Sequence, residues 1–317
     1  MTASENVLGI TGSLGYIGKR LLAYLETEKS FQKVVCTDIL SRNVGVPPDF
    51  EYHHCDIRNY EKLHSIFEGS GVNTVIHLAF IAQPTRDPSF EYDVDVNGTA
   101  NILEVCEKTG VRKLVVAGSD CAYGFFEGTP DYLREDAPIR PTPGFPYSEN
   151  KATVEKMLLD FSARNPACAT VILRPCMVIG PHADNTTTRS MKQPAIIGVR
   201  GYDPIMQFVH EDDVAEAFCQ AAVQDVKGAF NVAADEGLRY SELAKFLGKP
   251  LIRLPVWLIY PLVEMLYRLR LLPFGKAQLD YIRFPLSIDN TRLKTELKLV
   301  PRYTSLQAIE SHLMHAR

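Results

Sequence analysis

Paired cysteines are missing from this sequence. Its seven cysteines, Cys36, Cys55, Cys106, Cys121, Cys168, Cys176 and Cys219, are scattered and odd in number, and no CxxC pair occurs. That spacing indicates neither a disulfide framework nor a zinc knuckle, so no metal site is expected. A basic excess is missing as well: 34 Lys and Arg stand against 38 Asp and Glu, for a formal net charge of −4. Nucleic acid is therefore not an expected partner, because affinity for a phosphate backbone needs concentrated positive charge. There is no internal repeat, low-complexity tract or long linker. The start, "MTASENVLGITG", runs straight into a strand and offers no signal peptide. A reducing, cytoplasmic setting is the expectation.

An uninterrupted apolar span is also lacking. The most apolar run, "LPVWLIYPLVEMLYRLRLLPF" at 254–274, is broken by Pro261, Glu264, Arg268 and Arg270. The roughly 20 apolar residues that cross a bilayer are not available, so no integral membrane span is expected. Two readings of the run remain: a buried or pocket-lining helix, or an amphipathic helix on a membrane surface or beside a lipid-like substrate. What is left is ordinary globular composition, 46% hydrophobic and 23% charged over 317 residues. That suffices for one large domain with a smaller lobe.

The front half alternates short apolar runs with helix-like stretches. The runs are "NVLGITG", "KVVCTDIL", "EYHHCDI", "TVIHLAF", "KLVVAGS" and "TVILRP"; between them lie "YIGKRLLAYLETE", 60–68, 97–109 and 148–164. Strand–helix alternation predicts an α/β fold, a parallel sheet covered on both faces. After about residue 175 the alternation gives way to proline- and glycine-punctuated stretches, as a smaller substrate lobe would require. "PIMQFVHEDDVAEAF" and "AFNVA" are expected to return to the sheet. "YHHCD" at 52–56 resembles a row of metal ligands, yet strand neighbours point to opposite faces, so it reads as a strand end. His210 reads as a structural residue before a helix whose N-terminus carries Asp212 or Asp213.

The loop "TGSLGYIG", Thr11–Gly18, follows the first strand and opens the first helix. Gly12, Gly15 and Gly18 permit a tight turn, close approach of a pyrophosphate and close helix–sheet packing. Tyr16 and Ile17 begin a helix whose N-terminus offers free N–H groups to phosphates. Asp38 ends the second strand 20 residues after Gly18, the place for a carboxylate that binds ribose hydroxyls. It would repel a 2′-phosphate, which favours NAD over NADP; Arg42, four residues on, can accommodate that phosphate and leaves NADP open.

Together these stretches resemble the extended short-chain dehydrogenase/reductase family, in its NAD-dependent epimerase/dehydratase branch. The motifs that carry the likeness, in the family's order, are "TGSLGYIG", "CDIRN", "HLA", "VDVNGTANILEVC", "GSDCAYG", "YSENK" and "LRPCMVIGP". The resemblance implies a Rossmann-type doubly wound parallel sheet with a smaller C-terminal substrate lobe. The NAD-binding domain would take residues 1–174 plus about 205–234, and the lobe about 175–204 plus 235–317. It implies that Asp56 and Ile57 flank the adenine, that Leu78 and Ala79 line the ribose and phosphate side, and that Pro175 faces the nicotinamide. Asn97, in the fourth motif, joins the cofactor set. Ser119, Tyr147 and Lys151 would be catalytic, with Lys151 also holding the nicotinamide ribose. A homodimer is expected through helices 97–109 and 148–164, the second carrying Val154, Met157, Leu158 and Phe161 at helical spacing.

Chemistry for the Tyr147–Lys151 pair follows from spacing, and the resemblance adds Ser119. Positions i and i+4 share a helical face, so the Lys151 ammonium lies near the Tyr147 hydroxyl. Free tyrosine ionises near about pH 10. A lysine cation and the positive nicotinamide both favour the phenolate. Tyr147 then exchanges a proton with a substrate alcohol or carbonyl, and Ser119 hydrogen-bonds the same oxygen.

Three departures narrow the substrate. The dehydratases of the family carry an Asp-Glu pair after the serine or threonine; here Asp120 is followed by Cys121. Sugar-nucleotide enzymes often place an asparagine where this chain has Met177, and an arginine where it has Gln207. Without them a diphosphate loses charge-assisted partners, unless Arg189, Lys192 or Arg200 substitute. Asp120, Cys121, Met177 and Gln207 are the candidate substrate contacts, and Cys176 and Met177 either touch substrate or pack. Two enzyme readings stay open: an alcohol/ketone oxidoreductase for a small or lipid-like molecule, served by Trp257, Tyr260 and Tyr267, or a nucleotide-sugar 4-epimerase using transient oxidation. A cofactor-binding regulatory protein without turnover is a third.

Overall fold

β1 (Val7–Thr11) leads through the glycine loop into α1 (Tyr16–Thr27) in this computed structural model, which describes residues 6–41 and 43–315. Next come β2 (Lys33–Asp38), β3 (Glu51–His54), α2 (Tyr60–Ser70), β4 (Thr74–His77) and α3 (Pro88–Tyr92). A π turn (Asp93–Asn97) runs into α4 (Gly98–Thr109), followed by β5 (Lys113–Ala117), a 3-10 turn (Asp120–Tyr123), α5 (Pro146–Arg164) and β6 (Ala169–Pro175). Beyond lie β7 (Met177–Ile179), α6 (Thr186–Met191), β8 (Ile196–Val199), β9 (Ile205–Met206), β10 (Phe208–His210), α7 (Glu211–Val223) and β11 (Gly228–Val232). The chain closes with β12 (Leu238–Arg239), α8 (Tyr240–Phe246), β13 (Leu251–Leu254), α9 (Val256–Arg268), a 3-10 turn (Lys276–Ile282), α10 (Thr291–Thr295) and α11 (Ser305–His315).

Seven strands form one parallel sheet in the order β11-β6-β5-β4-β1-β2-β3. This is the Rossmann-type doubly wound arrangement the sequence predicts. The order reverses between β1 and β4, and the crevice at the strands' C-terminal ends there is where such sheets bind ligands. Burial on both faces explains the continuous apolar runs. Alternate residues go to opposite cores: Val34, Cys36, Ile76 and Val115 pack with Leu21, Leu22 and Phe218 from α1 and α7. Val35, Val75, Leu114 and Val116 pack with Phe67, Ile102 and Leu158 from α2, α4 and α5 on the other side.

Three expectations are corrected here. "AFNVA" does supply β11 to the main sheet, but β10 pairs only with β7, in a separate two-stranded sheet. Of the four residues on α5 expected at a dimer face, Val154, Leu158 and Phe161 are buried in this chain's own core. The helix therefore has no surplus apolar stripe from them, because one sheet face absorbs all three. Finally, the 254–274 run is not a buried helix. Only Ile259 and Val263 of α9 are buried, while Trp257, Leu258, Leu262 and Met265 are exposed. Among the described residues no helix is long and apolar enough to cross a membrane.

Candidate active site

α5 starts at the C-terminal edge of the sheet because Pro146 takes a first-turn position, where its missing N–H costs nothing. Lys151, one turn in, is 2% exposed. Its Nζ donates to Ala117 O, at the end of β5, at 2.7 Å. It lies 3.2 Å from the centroid of the Phe80 ring and 5.6 Å from that of Tyr147. Ser119 caps the short turn after β5: its Oγ accepts from Cys121 N and donates to Asp120 Oδ1, both at 3.2 Å. The same hydroxyl is near enough to the Tyr147 phenol to favour its ionised form. Residues from β5, the following turn and α5 thus meet at one point.

Burial pushes Lys151 down to about 8, while the negative charges of Asp95 and then Glu155 pull it back up. Asp95 was not singled out from sequence, although a carboxylate between two valines just before a helix is unusual enough to ask about. It is 1% exposed within the π turn. Its Oδ1 accepts from Ile81 N at 2.8 Å and its Oδ2 from Asn150 Nδ2 at 3.2 Å. Asn97, chosen instead, is exposed and donates to Asp93 Oδ1 at 2.9 Å. The π turn sets this choice, turning Asp95 inward and Asn97 out.

Tyr147 departs from expectation in its ionisation. Burial pushes the phenol well above its ordinary range, and the charges of Cys121, Asp120 and Asp95 add to this; only the Ser119 hydrogen bond among the main influences opposes it. Lys151 has turned its ammonium to Ala117 O and the Phe80 face instead. The protein by itself holds Tyr147 as a neutral phenol, ready to donate.

Asp120, Gln207 and Tyr281 line one narrow cleft with Phe125, Met206 and Leu286. Burial raises Asp120 to about 6, against hydrogen bonds from Cys121 and Ser119 that favour its charged form. Gln207, read from sequence as a substrate contact, is spent on the backbone. Its Nε2 donates to Ala234 O at 2.7 Å and Ile288 O at 3.2 Å, and its Oε1 accepts from Ile288 N at 2.9 Å. It is a staple, not a free contact. Met177 Sδ accepts from Tyr281 OH at 3.2 Å, and the Cys121 and Cys176 thiols are buried and pushed up by that burial. Arg189 is held by Asp184 at 2.9 Å, and Lys192 and Arg200 are exposed. His53 contacts Glu51 and His54 the Ile39 carbonyl, as a strand end requires. His210 caps α7, its Nδ1 accepting from Asp212 N at 3.1 Å.

A family model described as "NAD dependent epimerase/dehydratase family" matches residues 8–233. The chain belongs to that family. It is 26% identical over 317 residues to an uncharacterised protein of Mycobacterium tuberculosis, covering 96% of this chain and 83% of the relative. It is 29% identical over 193 residues to the UDP-glucose 4-epimerase of Dictyostelium discoideum, covering 57% of this chain and 55% of that one. A UDP-glucose 4-epimerase of Thermus thermophilus, solved in complex with NAD, superposes with a TM-score of 0.78 over 98% of both chains at 22% identity. A dTDP-glucose 4,6-dehydratase of Bacillus anthracis, also with NAD, gives 0.76 at 18% identity, over 98% of this chain and 96% of that one.

As a member of the epimerase/dehydratase family the chain is NAD dependent, and its β1–α1 loop fits such a cofactor. Gly12 has φ +70°, and a Cβ there would fall 2.7 Å from the Ala79 backbone. A Cβ on Gly18 would fall 2.4 Å from Gly12 O. Leu78 N donates to Thr11 O at 3.0 Å, which seats Leu78 and Ala79 against the loop. Gly15 is the N-cap of α1 and offers no side-chain cap, leaving first-turn N–H groups for phosphate. Asp38 accepts from Leu14 N at 2.8 Å and Leu40 N at 3.1 Å; a carboxylate has roughly four lone-pair sites, so about two remain for ribose hydroxyls. Pro175 ends β6 beside Val232 of β11, on the same edge.

Other cofactor candidates also make contacts within the protein. Tyr16 OH donates to Glu211 Oε2 at 2.5 Å, and Ile17 packs into the core. Ile57 is buried against Gly98, where a Cβ would meet its Cδ1 at 2.4 Å. Asp56 is paired with Arg58 at 2.6 Å, which holds its carboxyl below the usual range. Arg42 lies outside the described residues.

Proposed function

We propose that this epimerase/dehydratase family member is an oxidoreductase that moves a hydride at a secondary alcohol or ketone carbon. Tyr147 is the acid/base, Ser119 positions the reacting oxygen, and Lys151 supplies positive charge and holds the nicotinamide ribose. Bound NAD supplies the hydride acceptor or donor. The carrying observation is the convergence of the Ser119 hydroxyl and the Tyr147 phenol beside the buried Lys151 ammonium. With its phenol held neutral, Tyr147 gives its proton to a carbonyl oxygen directly. In the oxidising direction it takes the alcohol proton, a step helped by the cofactor's positive ring.

The side chains around Asp120 and Gln207 suit a small or lipid-like substrate better than a sugar diphosphate. Gln207 has no free donor to offer, and Asp120 brings negative charge to the cleft wall. A diphosphate needs cations there, since charge-assisted hydrogen bonds are the strong ones. The second reading, a nucleotide-sugar 4-epimerase, rests on the likeness to UDP-glucose 4-epimerases. One experiment separates them. The enzyme with NAD is offered secondary alcohols and UDP-sugars while NADH absorbance and sugar product are both followed. Net NADH from an alcohol, with no stabilisation by UDP or dTDP, supports the oxidoreductase. Sugar turnover without net NADH replaces it with the epimerase, and no turnover of either class by an NAD-loaded enzyme removes both.

A further inference from the structure

α9 is inside out. Its buried face is narrow, Ile259 and Val263 packed on Leu279, and the face toward solvent is made of Trp257, Leu258, Pro261, Leu262, Met265 and Leu269. Trp257 is 76% exposed, Leu269 60% and Met265 50%. At 100° per residue these six fall within one arc, with Arg268 as the single charged residue among them. A surface helix normally turns polar residues outward. An apolar patch of this kind on a water-exposed face marks a contact surface.

Charge around the patch selects the partner. Residues 256–276 hold Arg268, Arg270 and Lys276 against the lone carboxylate Glu264, in a chain whose net charge is −4. Glu264 is itself paired with Arg268 at 3.0 Å. Apolar side chains with a tryptophan, followed by the exposed cations Arg268, Arg270 and Lys276, match a bilayer interface carrying anionic headgroups. The apolar residues enter the acyl boundary while Lys and Arg meet the headgroups. A second copy of the chain would bring the same cations against one another, which disfavours self-association through this face.

We infer that α9 docks this protein on anionic membrane surfaces, peripherally and reversibly. Docking bears on the active site through one contact. Arg86, on the loop that follows β4, donates to Arg270 O just past the end of α9. That loop carries Phe80, whose ring lies against Lys151, and Ile81, whose N–H donates to Asp95. A membrane-bound α9 therefore holds the border of the site next to the lipid. The inference stands whichever reaction the site performs.

Trp257 is the chain's single tryptophan and so a built-in probe of the proposed face. The full chain with NAD is mixed with phosphatidylcholine vesicles, with and without phosphatidylglycerol, and followed by flotation and Trp257 emission. Flotation with the anionic vesicles and a blue-shifted emission, both weakened by salt, are expected. Leu262→Glu with Met265→Glu should abolish flotation. Reversing Arg268, Arg270 and Lys276 to Glu should lower partitioning by at least about 100-fold. All these positions are exposed, and an unchanged melting curve and NAD binding confirm folding. No flotation with unchanged emission overturns the proposal. So does a protein-concentration-dependent blue shift with doubled mass in the absence of lipid, which would assign the face to a second copy.

Discussion

Three hydrogen bonds join Glu155 on α5 to Arg174 on β6. Arg174 Nε reaches both carboxylate oxygens at 3.0 Å and its Nη2 reaches Oε2 at 2.6 Å. The second terminal nitrogen donates to Tyr123 OH at 2.6 Å and Glu135 O at 3.0 Å. Glu155 sits one helical turn beyond Lys151, so this pair anchors the catalytic helix to the sheet. Both side chains are buried, and breaking such a pair leaves an unpaired charge in the core. Arg174→Met should therefore cost about 3–5 kcal/mol, while adding Glu155→Leu should return much of it. Urea unfolding of both variants measures this; a single variant as stable as the parent contradicts the anchoring role.

Tyr147→Phe removes the proton carrier and leaves Lys151 bonded to Ala117 O. Turnover should fall by about 10²-fold or more, with NAD affinity unchanged by titration. Retained turnover on an identified substrate would refute Tyr147 as the acid/base.

Asp95 supports the protonated form of Lys151, and its removal has a signed consequence. Lys151 is lowered from its ordinary 10.5 to about 8 in the fold. Between those values the unfolded chain binds the proton and the folded one does not, so this group makes stability rise with pH across that window. Catalysis needs the cation, so rate falls as pH climbs through about 8. Asp95→Asn should move that alkaline limb to lower pH while NAD still binds. A pH–rate profile that keeps its limb in place removes Asp95 from the charge balance.

Asp120 has the opposite sign. Its folded value of about 6 lies above the ordinary 3.8, so the native state binds the proton more tightly and loses stability as pH rises between them. Asp120→Asn should be the more stable protein near neutrality, by at most about 3 kcal/mol, with the gap closing in acid. Melting curves across pH test it; a gap that grows in acid has the wrong sign.

Asp38 should set cofactor choice. Asp38→Ala removes the acceptor of the Leu14 and Leu40 N–H groups, weakening NAD and narrowing its advantage over NADP. Fluorescence titration of both cofactors decides; NADP binding as tightly as NAD in the unmodified protein would assign the choice to another group.

Local pattern was enough wherever the physics is local. The six apolar runs became strands because period-2 burial on both sheet faces writes itself into composition, as in Val34, Val35 and Cys36 facing alternate cores. Gly12 and Gly18 were legible because only glycine tolerates the backbone approaches seen there. Tyr147 and Lys151 were legible because helical geometry fixes an i,i+4 pair. Gln207 was not: its hydrogen bonds go to Ala234 and Ile288, residues far along the chain that no spacing rule connects to it.

The sequence by itself determined the strand–helix alternation, the cofactor loop and the Tyr147–Lys151 pair, since each depends on neighbours within one or two helical turns. Tertiary structure alone decided which of Asp95 and Asn97 faces Lys151, because a π turn shifts the helix phase by one residue relative to a regular α-helix. It also decided which way α9 faces. An apolar run carries no label for inside or outside, and only the packing of Ile259 and Val263 on Leu279 turned Trp257, Met265 and Leu269 into solvent.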